Sequence, residues 1–540
     1  MPTECEEVMT VAAFIESSVR DAKSYLPPTI TGLVDLLDRH VRDRPAAAAL
    51  VVTGDRVPVS YGALGALVED VAVRLGSTRL RRGDAVGLVC TNTIEFVVAL
   101  LGAASAGLVV SPLDPTLPES QMSARLDGLG AQAVLVGPTS DGGAPVAGFG
   151  IPAWQVRVDI ATRTEATVAI ETGTALVRHA RGAAHELTHD DALVLFTSGT
   201  TNSAKMVPLT HANVAASVQS ICGSYELGPD DATVAVMPLF HGHGLLAVLL
   251  ASLASGGCVL LPERGRFSAG TFWDDMRTAA GTWFTAVPTI HEILLQRSAR
   301  EYPGPQVVPL RFVRSCSAPL NVITAQAVER AFGAPVLSAY GMTETAHQAT
   351  SQPLPQRAPV KQGSVGRATG VRLRVVDHDG HTCPAGIEGE VWVHGPTVAR
   401  GYLDNPTATA QNFLNGWFRT GDLGSLDSDG YLSLTGRIKN IINRGGEKIS
   451  PEHVEAVLGG CRGVTEAAVF AIPDATYGER VGAAIVVGEA ENVGPEQILQ
   501  SCRGQLAPFE VPDRLEVVAA LPHTAKGALD RRAVEHLYAH

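Results

Sequence analysis

The run richest in chemistry-bearing side chains is Leu195-Phe196-Thr197-Ser198-Gly199-Thr200-Thr201-Asn202-Ser203-Ala204-Lys205. An apolar strand empties into hydroxyls and a glycine, and a lysine closes the loop. Backbone N–H groups, hydroxyl donors and one ammonium suit a phosphate chain. A polar surface turn with a solvated lysine is the bland alternative. The kinase-type P-loop is excluded, because G-x-x-x-x-G-K-[ST] does not fit an ending of Ala204-Lys205-Met206. Three further runs stand out. Tyr340-Gly341-Met342-Thr343-Glu344 offers a ring for a purine, a glycine for close approach and a carboxylate for Mg2+. Trp417-Phe418-Arg419-Thr420-Gly421-Asp422, followed by Tyr431 to Arg437, offers an acid for ribose hydroxyls and an arginine near phosphate. Gly445-Gly446-Glu447-Lys448-Ile449-Ser450-Pro451 is a glycine-rich turn before a helix. Singly, each of these three is more often an ordinary turn than a site.

The elements that must position these runs alternate. Ala85 to Val89 reads as a strand and Ile94 to Ala106 as a helix. Leu193 to Phe196, Thr233 to Val236, Trp283 to Val287 and Phe312-Val313 read as further buried strands between helices. This is an α/β pattern, with parallel sheets covered by helices. Residues 1–28 read as a leader ending in Pro27-Pro28, and 29–436 as a large domain. Past Gly436 the texture changes to a basic, glycine-rich segment and then a small α+β unit, 437–540, hinged near Lys439. Its strands are expected at Ala467 to Ala471, Ala483 to Val487 and Leu515 to Val518.

Composition narrows the function. The chain has 540 residues, 45% apolar and 18% charged, which is globular and long enough for more than one domain. Lys plus Arg number 42 against 55 Asp plus Glu, a net charge of -13 that repels nucleic acid and anionic membrane. A polyanionic ligand must therefore be held by a local cluster of donors. The eight cysteines form no C-x-x-C pair and read as buried fillers in a reducing compartment. The opening MPTECEEVMT carries acids where a signal peptide carries bases, and the final Tyr-Ala-His is not a peroxisomal tripeptide. The most apolar run, Leu245 to Leu261, is broken by Ser252, Ser255, Gly256 and Gly257 and reads as a core helix leading into a strand. Together these point to a cytoplasmic protein without a membrane span. The serine-hydrolase signature G-x-S-x-G is absent, against an esterase.

The order and spacing of TSGTT…K, YGMTE, RTGD, TGRIKN and GGEKISPEHVE resemble the adenylate-forming superfamily, which includes acyl-CoA synthetases, luciferases and peptide-synthetase adenylation domains. The resemblance spans roughly residues 30 to 535. It implies a large domain of two α/β subdomains plus a barrel-like part, and a small C-terminal domain that swings between two half-reactions. An acid attacks the α-phosphate of MgATP to give an acyl-adenylate and pyrophosphate, and the thiol of coenzyme A then displaces AMP. By motif match, Thr197, Ser198, Gly199, Thr200, Thr201 and Lys205 embrace the phosphates, while Glu344 and Thr200 hold Mg2+. Tyr340, Gly341, Met342 and Thr343 with Ser317-Ala318-Pro319 flank adenine, and Asp422 binds ribose. Arg437 contacts the nucleotide, Lys439 lies at the hinge, and Gly445 and Gly446 line the pantetheine tunnel.

Two places depart from the family. The phosphate loop, usually T-G-x-P-K-G, reads Thr201-Asn202-Ser203-Ala204-Lys205-Met206, where Asn tolerates the turn conformation. The C-terminal motif P-x-T-x-x-G-K-x-x-R-R reads Pro522-His523-Thr524-Ala525-Lys526-Gly527-Ala528-Leu529-Asp530-Arg531-Arg532. Ala528 stands where relatives carry the lysine that bridges substrate carboxylate and α-phosphate. Either adenylation is impaired, by engineering or by descent, or Lys526 takes over. The offset of two residues, about 6–7 Å of extended chain, favours impairment.

For the acid, Met237 to Gly244 (MPLFHGHG), Trp283 to His291, Arg311 to Leu320 (RFVRSCSAPL), Thr343 to Gln348 and Ile441 to Pro451 resemble the oxalate–CoA ligase group. Arg314 precedes the adenine-flanking segment and suits the second carboxylate of a dicarboxylic acid, which a guanidinium fork grips bidentately. His241, His347 and Ser315 are further donors for it. Arg314 paired with a surface acid is the structural alternative. His241 and His243 lack a third ligand for a metal, and His291 reads as a helix-face residue. A medium-chain or aromatic acid–CoA ligase and a non-catalytic nucleotide or acyl-adenylate binder are the other functions compatible with these residues.

Overall fold

The computed structural model describes residues 29–52, 57–139, 150–172, 186–197, 204–488, 493–524 and 529–539. The leader expected over 1–28 lies outside them, as do Ser198, Gly199, Thr200, Thr201, Lys526 and Ala528.

Five sheets organise the described residues. The largest has seven strands, with Ala85–Val89 paired in parallel to Val109–Leu113 and Ala133–Val136 at its centre. Val, Ala and Leu dominate these strands because both faces are covered. The helices Tyr61–Gly76 and Ile94–Ser105 contribute Leu64, Leu67, Val71, Phe96 and Val97 to the core on one side. The helix Glu119–Leu129 contributes Met122, Leu126 and Leu129 on the other. Ser60 caps the first of these helices by accepting the Ala63 N–H, which satisfies one of its free donors. At one edge of this sheet Asp191–Phe196 and Met206–Thr210 run antiparallel and carry the two arms of the hydroxyl-rich loop.

The second sheet sets the other half of the site. Trp283–Ala286, Phe312–Ser315 and Val336–Tyr340 are parallel neighbours, extended by the short antiparallel strands Thr350–Ser351 and Arg367–Ala368. Alternation divides its residues between two cores. Phe284, Ala286, Val313 and Val336 face the helices Phe272–Ala279, Pro288–Glu301 and Val322–Phe332. Trp283, Phe312 and Leu337 face the main core instead. The apolar run from Leu245 forms the expected helix and strand, with a difference in pitch. Residues His243–Leu250 are a π-helix, continued by the α-helix Ala251–Ser255 and the strand Cys258–Leu260. Gly244 starts this wide turn where a Cβ would lie 2.3 Å from the Pro238 carbonyl oxygen.

The expected barrel-like part is a five-stranded antiparallel sheet that holds Gly389–His394, Trp417–Leu426 and Leu432–Arg437. Further on, Ile442–Arg444, Glu447–Ile449, Val464–Asp474, Gly478–Val487 and Arg514–Val517 form a separate sheet with its own core around Ile442, Val454, Val481 and Ile498. Within that core the Cys461 and Cys502 sulfurs lie 3.8 Å apart. No helix among the described residues is long and apolar enough to cross a membrane.

Candidate active site

The base of the hydroxyl-rich loop is closed by the protein itself. Thr197 N–H donates to the Lys205 carbonyl at 3.0 Å, and Lys205 N–H donates to Thr197 Oγ1 at 3.1 Å. Lys205 makes no ion pair among the described residues. Its ammonium lies over the Tyr402 ring, 4.5 Å from the centroid. The Tyr402 hydroxyl donates to Glu344 Oε1 at 2.7 Å, and Leu403 N–H ties this segment to the Met206 carbonyl. Glu344 sits in a single 3-10 turn, Thr343–Thr345, with its carbonyl accepting from Ala399 N–H. Burial and the neighbouring carboxylate push the Tyr402 hydroxyl pKa up, so it stays a donor. Tyr402 belongs to no motif read from the sequence. Its only signal is an aromatic ring in an apolar pair, Tyr402-Leu403, beside Gly401.

Strand register dictates the next cluster. Asp422 and Arg437 are direct cross-strand partners, and Arg437 Nε lies 2.5 Å from Asp422 Oδ1. The Tyr340 hydroxyl donates to Asp422 Oδ2 at 2.6 Å. Burial raises the Asp422 carboxyl pKa, with Arg437 opposing that shift. Lys439, two residues beyond Arg437, has its pKa lowered by burial and then by the charges of Arg437, Lys205 and Arg532. That influence places cations from both sides of the Arg437 segment near one another, in a chain whose net charge is -13. A cluster of this sign fits a polyphosphate, and the Glu344 carboxylate fits its Mg2+. Gly341 is required beside it: a Cβ there would lie 1.5 Å from the His347 carbonyl oxygen. Gly445 and Gly446, at φ 61° and 103°, make the tight turn between Ile442–Arg444 and Glu447–Ile449. Met342, Thr343 and Ala318 are half-buried, and Pro319 is exposed.

Arg314 lies in the interior. The surface acid it was expected to pair with as one alternative is not there: its side chain is 0% exposed and no carboxylate contacts it among the described residues. Nε donates to the Tyr225 hydroxyl at 2.8 Å. One terminal nitrogen reaches Thr285 Oγ1 at 3.1 Å and His243 Nε2 at 3.3 Å. The other reaches His347 Nε2 at 3.1 Å and Gln348 Oε1 at 2.9 Å. A guanidinium has five N–H groups, and each has a partner here, so the fork is filled from within. All five partners are uncharged side chains, leaving a buried cation without a counter-charge. His243 and His347 stack with centroids 5.2 Å apart. Burial drives the pKa of both well down, with the Arg314 charge adding to the effect.

Ser315 lies apart from the shell of Arg314. Strand alternation sends it to the face opposite Arg314, level with Ala286 and Ser338. Its Oγ is buried there without a hydrogen-bond partner among the described residues. The structure instead brings the next serine, two residues on, to the histidines: Ser317, at φ 72°, has its Oγ 3.0 Å from His243 Nδ1. His241 lies half-buried next to Gly242, which packs on His347, and its charge lowers the His347 pKa. His291 is fully buried on the helix Pro288–Glu301, and burial lowers its pKa to about 4. The one cluster with metal-ligand geometry among the described residues, Asp377, Asp379 and His381, lies elsewhere.

Residues 37–403 match the family model for the AMP-binding enzyme, and 453–528 match that for the AMP-binding enzyme C-terminal domain. The chain belongs to the AMP-binding enzyme family. It is an AMP-forming acid–thiol ligase that uses ATP, Mg2+ and coenzyme A on a small carboxylic acid. It is 41% identical to an oxalate–CoA ligase of Arabidopsis thaliana over 94% of this chain and 98% of that protein. It is 37% identical to an oxalate–CoA ligase of Saccharomyces cerevisiae over 85% of this chain and 87% of that protein. The crystal structure of ATP-bound MatB from Rhodopseudomonas palustris superposes with a TM-score of 0.81 at 29% identity, covering 95% of this chain and 99% of that one.

Proposed function

We propose that the acid is oxalate, and that the two clusters described above divide the work. The observation that carries this is Arg314, a fully buried cation with only neutral partners among the described residues. An uncompensated buried charge costs several kcal/mol, and a substrate whose second carboxylate enters this region recovers part of it. A monocarboxylic acid with an apolar tail does not. The names of the two relatives from plant and yeast support the same acid.

On the nucleotide side, Thr197, Ser198, Gly199, Thr200, Thr201 and Lys205 hold the phosphates, and Tyr340 to Thr343 with Ser317, Ala318 and Pro319 flank adenine. Asp422 takes the ribose hydroxyls, and Arg437 lies beside it toward the phosphates. Glu344 and Thr200 hold Mg2+, which neutralises phosphate charge when bound. His241 and His347 contact the acid. Residues 437–540 act as a small domain moving about Lys439 relative to 29–436, and Gly445 and Gly446 line the path of the CoA thiol. Carboxylate attack on the α-phosphate is mostly positioning and charge neutralisation, so Ala528 makes this first step slow. Among the described residues of this motif, Asp530 N–H donates to the Pro522 carbonyl, and Arg531 pairs with Glu455 at 2.7 Å.

The test is pyrophosphate release across a panel of acids, run on this chain and on Ala528→Lys together. Oxalate is expected to lead in both. Equal rates for oxalate and for mono-acids such as hexanoate or benzoate would overturn the assignment. ATP binding without turnover in both would turn it toward a nucleotide binder.

A further inference from the structure

Arg314 has donors only. Each group that meets it must therefore accept, which fixes the direction of every hydrogen bond around it. His243 Nε2 accepts from Arg314 at 3.3 Å and lies 2.7 Å from Thr285 Oγ1. Thr285 accepts from Arg314 at 3.1 Å and so spends its own proton on that ring nitrogen. His347 Nε2 accepts at 3.1 Å. A neutral imidazole with Nε2 as acceptor carries its proton on Nδ1. The two rings are close to parallel, 21° apart, and both present Nε2 to the guanidinium, so both Nδ1 edges turn away from it. His243 Nδ1–H then donates to Ser317 Oγ at 3.0 Å, which commits one lone pair and leaves the Ser317 proton to point outward. Ser317 is exposed, and His347 Nδ1 makes no hydrogen bond among the described residues.

We propose that Arg314 is a positioning residue: it sets the polarity of two chains, Arg314 to His347 and Arg314 through His243 to Ser317, so that both end in donors aimed at one carboxylate of the acid. This rests on the oxalate reading and deepens it. The acid's unreacted carboxylate accepts from His347 Nδ1–H and Ser317 O–H, while the guanidinium supplies charge from behind without leaving its own shell. An acceptor-only ligand is selected by direction as well as by sign. An amide or hydroxyl in that place brings a proton where two protons already point.

Two measurements test this. In the full chain with 15N-labelled histidine, the His347 ring, assigned by its loss in His347→Asn, is expected as the neutral Nδ1–H tautomer. The Nε2–H tautomer or an imidazolium there would overturn the proposal. In the Ala528→Lys background, His347→Asn keeps an N–H close to the Nδ1 position, whereas His347→Gln places it near Nε2, facing Arg314. KM for oxalate should rise roughly 10-fold or less in the first and roughly 100-fold in the second, as expected for one charge-assisted hydrogen bond. Equal losses, or the reverse order, would sink the idea. Lack of any oxalate-dependent pyrophosphate release in the parent overturns the oxalate reading instead. The tautomer measurement, which needs no turnover, still decides the polarity.

Discussion

The two halves of this active site handle buried charge in opposite ways. Around the nucleotide motifs each acid has a cation or a phenol beside it: Asp422 holds Arg437 and Tyr340, and Glu344 holds Tyr402. Around Arg314 there is no acid among the described residues, only hydroxyls, an amide and two imidazoles. The first half gives each of its acids a partner and still gathers Lys205, Arg437 and Lys439 for a polyphosphate that brings its own Mg2+. The second is left positive until an anion arrives. The contrast suggests that affinity for the nucleotide is spread over many contacts, whereas choice of acid hangs on one charge and the shell that orients it.

Removing that charge should have the largest effect. Arg314→Met is expected to lose oxalate by more than a factor of a hundred in kcat/KM while acetate, tested as a slow control, changes far less, because a buried carboxylate left unpaired costs several kcal/mol. Equal losses would make the two halves alike after all.

Next comes pH. His243, His291 and His347 all have folded pKa values lowered by burial, that of His291 to about 4. Between that value and the unfolded value near 6.5, the unfolded chain binds protons that the folded chain does not. Stability should therefore be fully present above about pH 6.5 and fall as the pH drops, His291 alone accounting for about 3 kcal/mol by pH 4. Urea titrations at pH 7.5, 6 and 5 measure this. Arg314→Met should shallow the dependence by relieving His243 and His347, provided its urea transition remains cooperative.

The third experiment acts on the nucleotide half alone. Ala528→Lys should raise the adenylation half-reaction by about 10²-fold and leave conversion of supplied oxalyl-adenylate to the thioester nearly unchanged. Lys526→Ala in the unaltered chain is its partner, since abolition of residual adenylation there would show that Lys526 had taken over. The smallest effect is expected from Tyr402→Phe, which leaves Glu344 one hydrogen bond short. A loss of about 1 kcal/mol, read as a several-fold rise in the Mg2+ concentration needed for half-maximal rate, is the expected outcome.

Motif-borne residues were legible because each motif is local. Thr197 and Lys205 belong to one short run, and the order of the motifs assigned Asp422 and Arg437 to one nucleotide; their direct pairing came from strand register. Buried strands at Ala85 to Val89 and at Trp283 were legible from unbroken apolar runs. The surroundings of Arg314 were not, because its partners Tyr225, Thr285 and Gln348 lie 89, 29 and 34 residues away in the chain. A lone arginine after Phe312-Val313 reads equally well as the exposed end of a strand. Ser315 was grouped with it by adjacency, although a strand sends neighbours to opposite faces; counting by two from Arg314 would have excluded it. The π pitch of His243–Leu250 has no compositional signature, since leucines and valines fill either kind of helix.

Tyr402 has one more consequence. By standing between Lys205 and Glu344, with its face toward the ammonium and its hydroxyl on the carboxylate, it keeps two opposite charges from collapsing onto each other. MgATP then reaches Lys205 and Glu344 without first having to break a salt bridge between those two. Capture at that pair is then left to diffusion and to the local field.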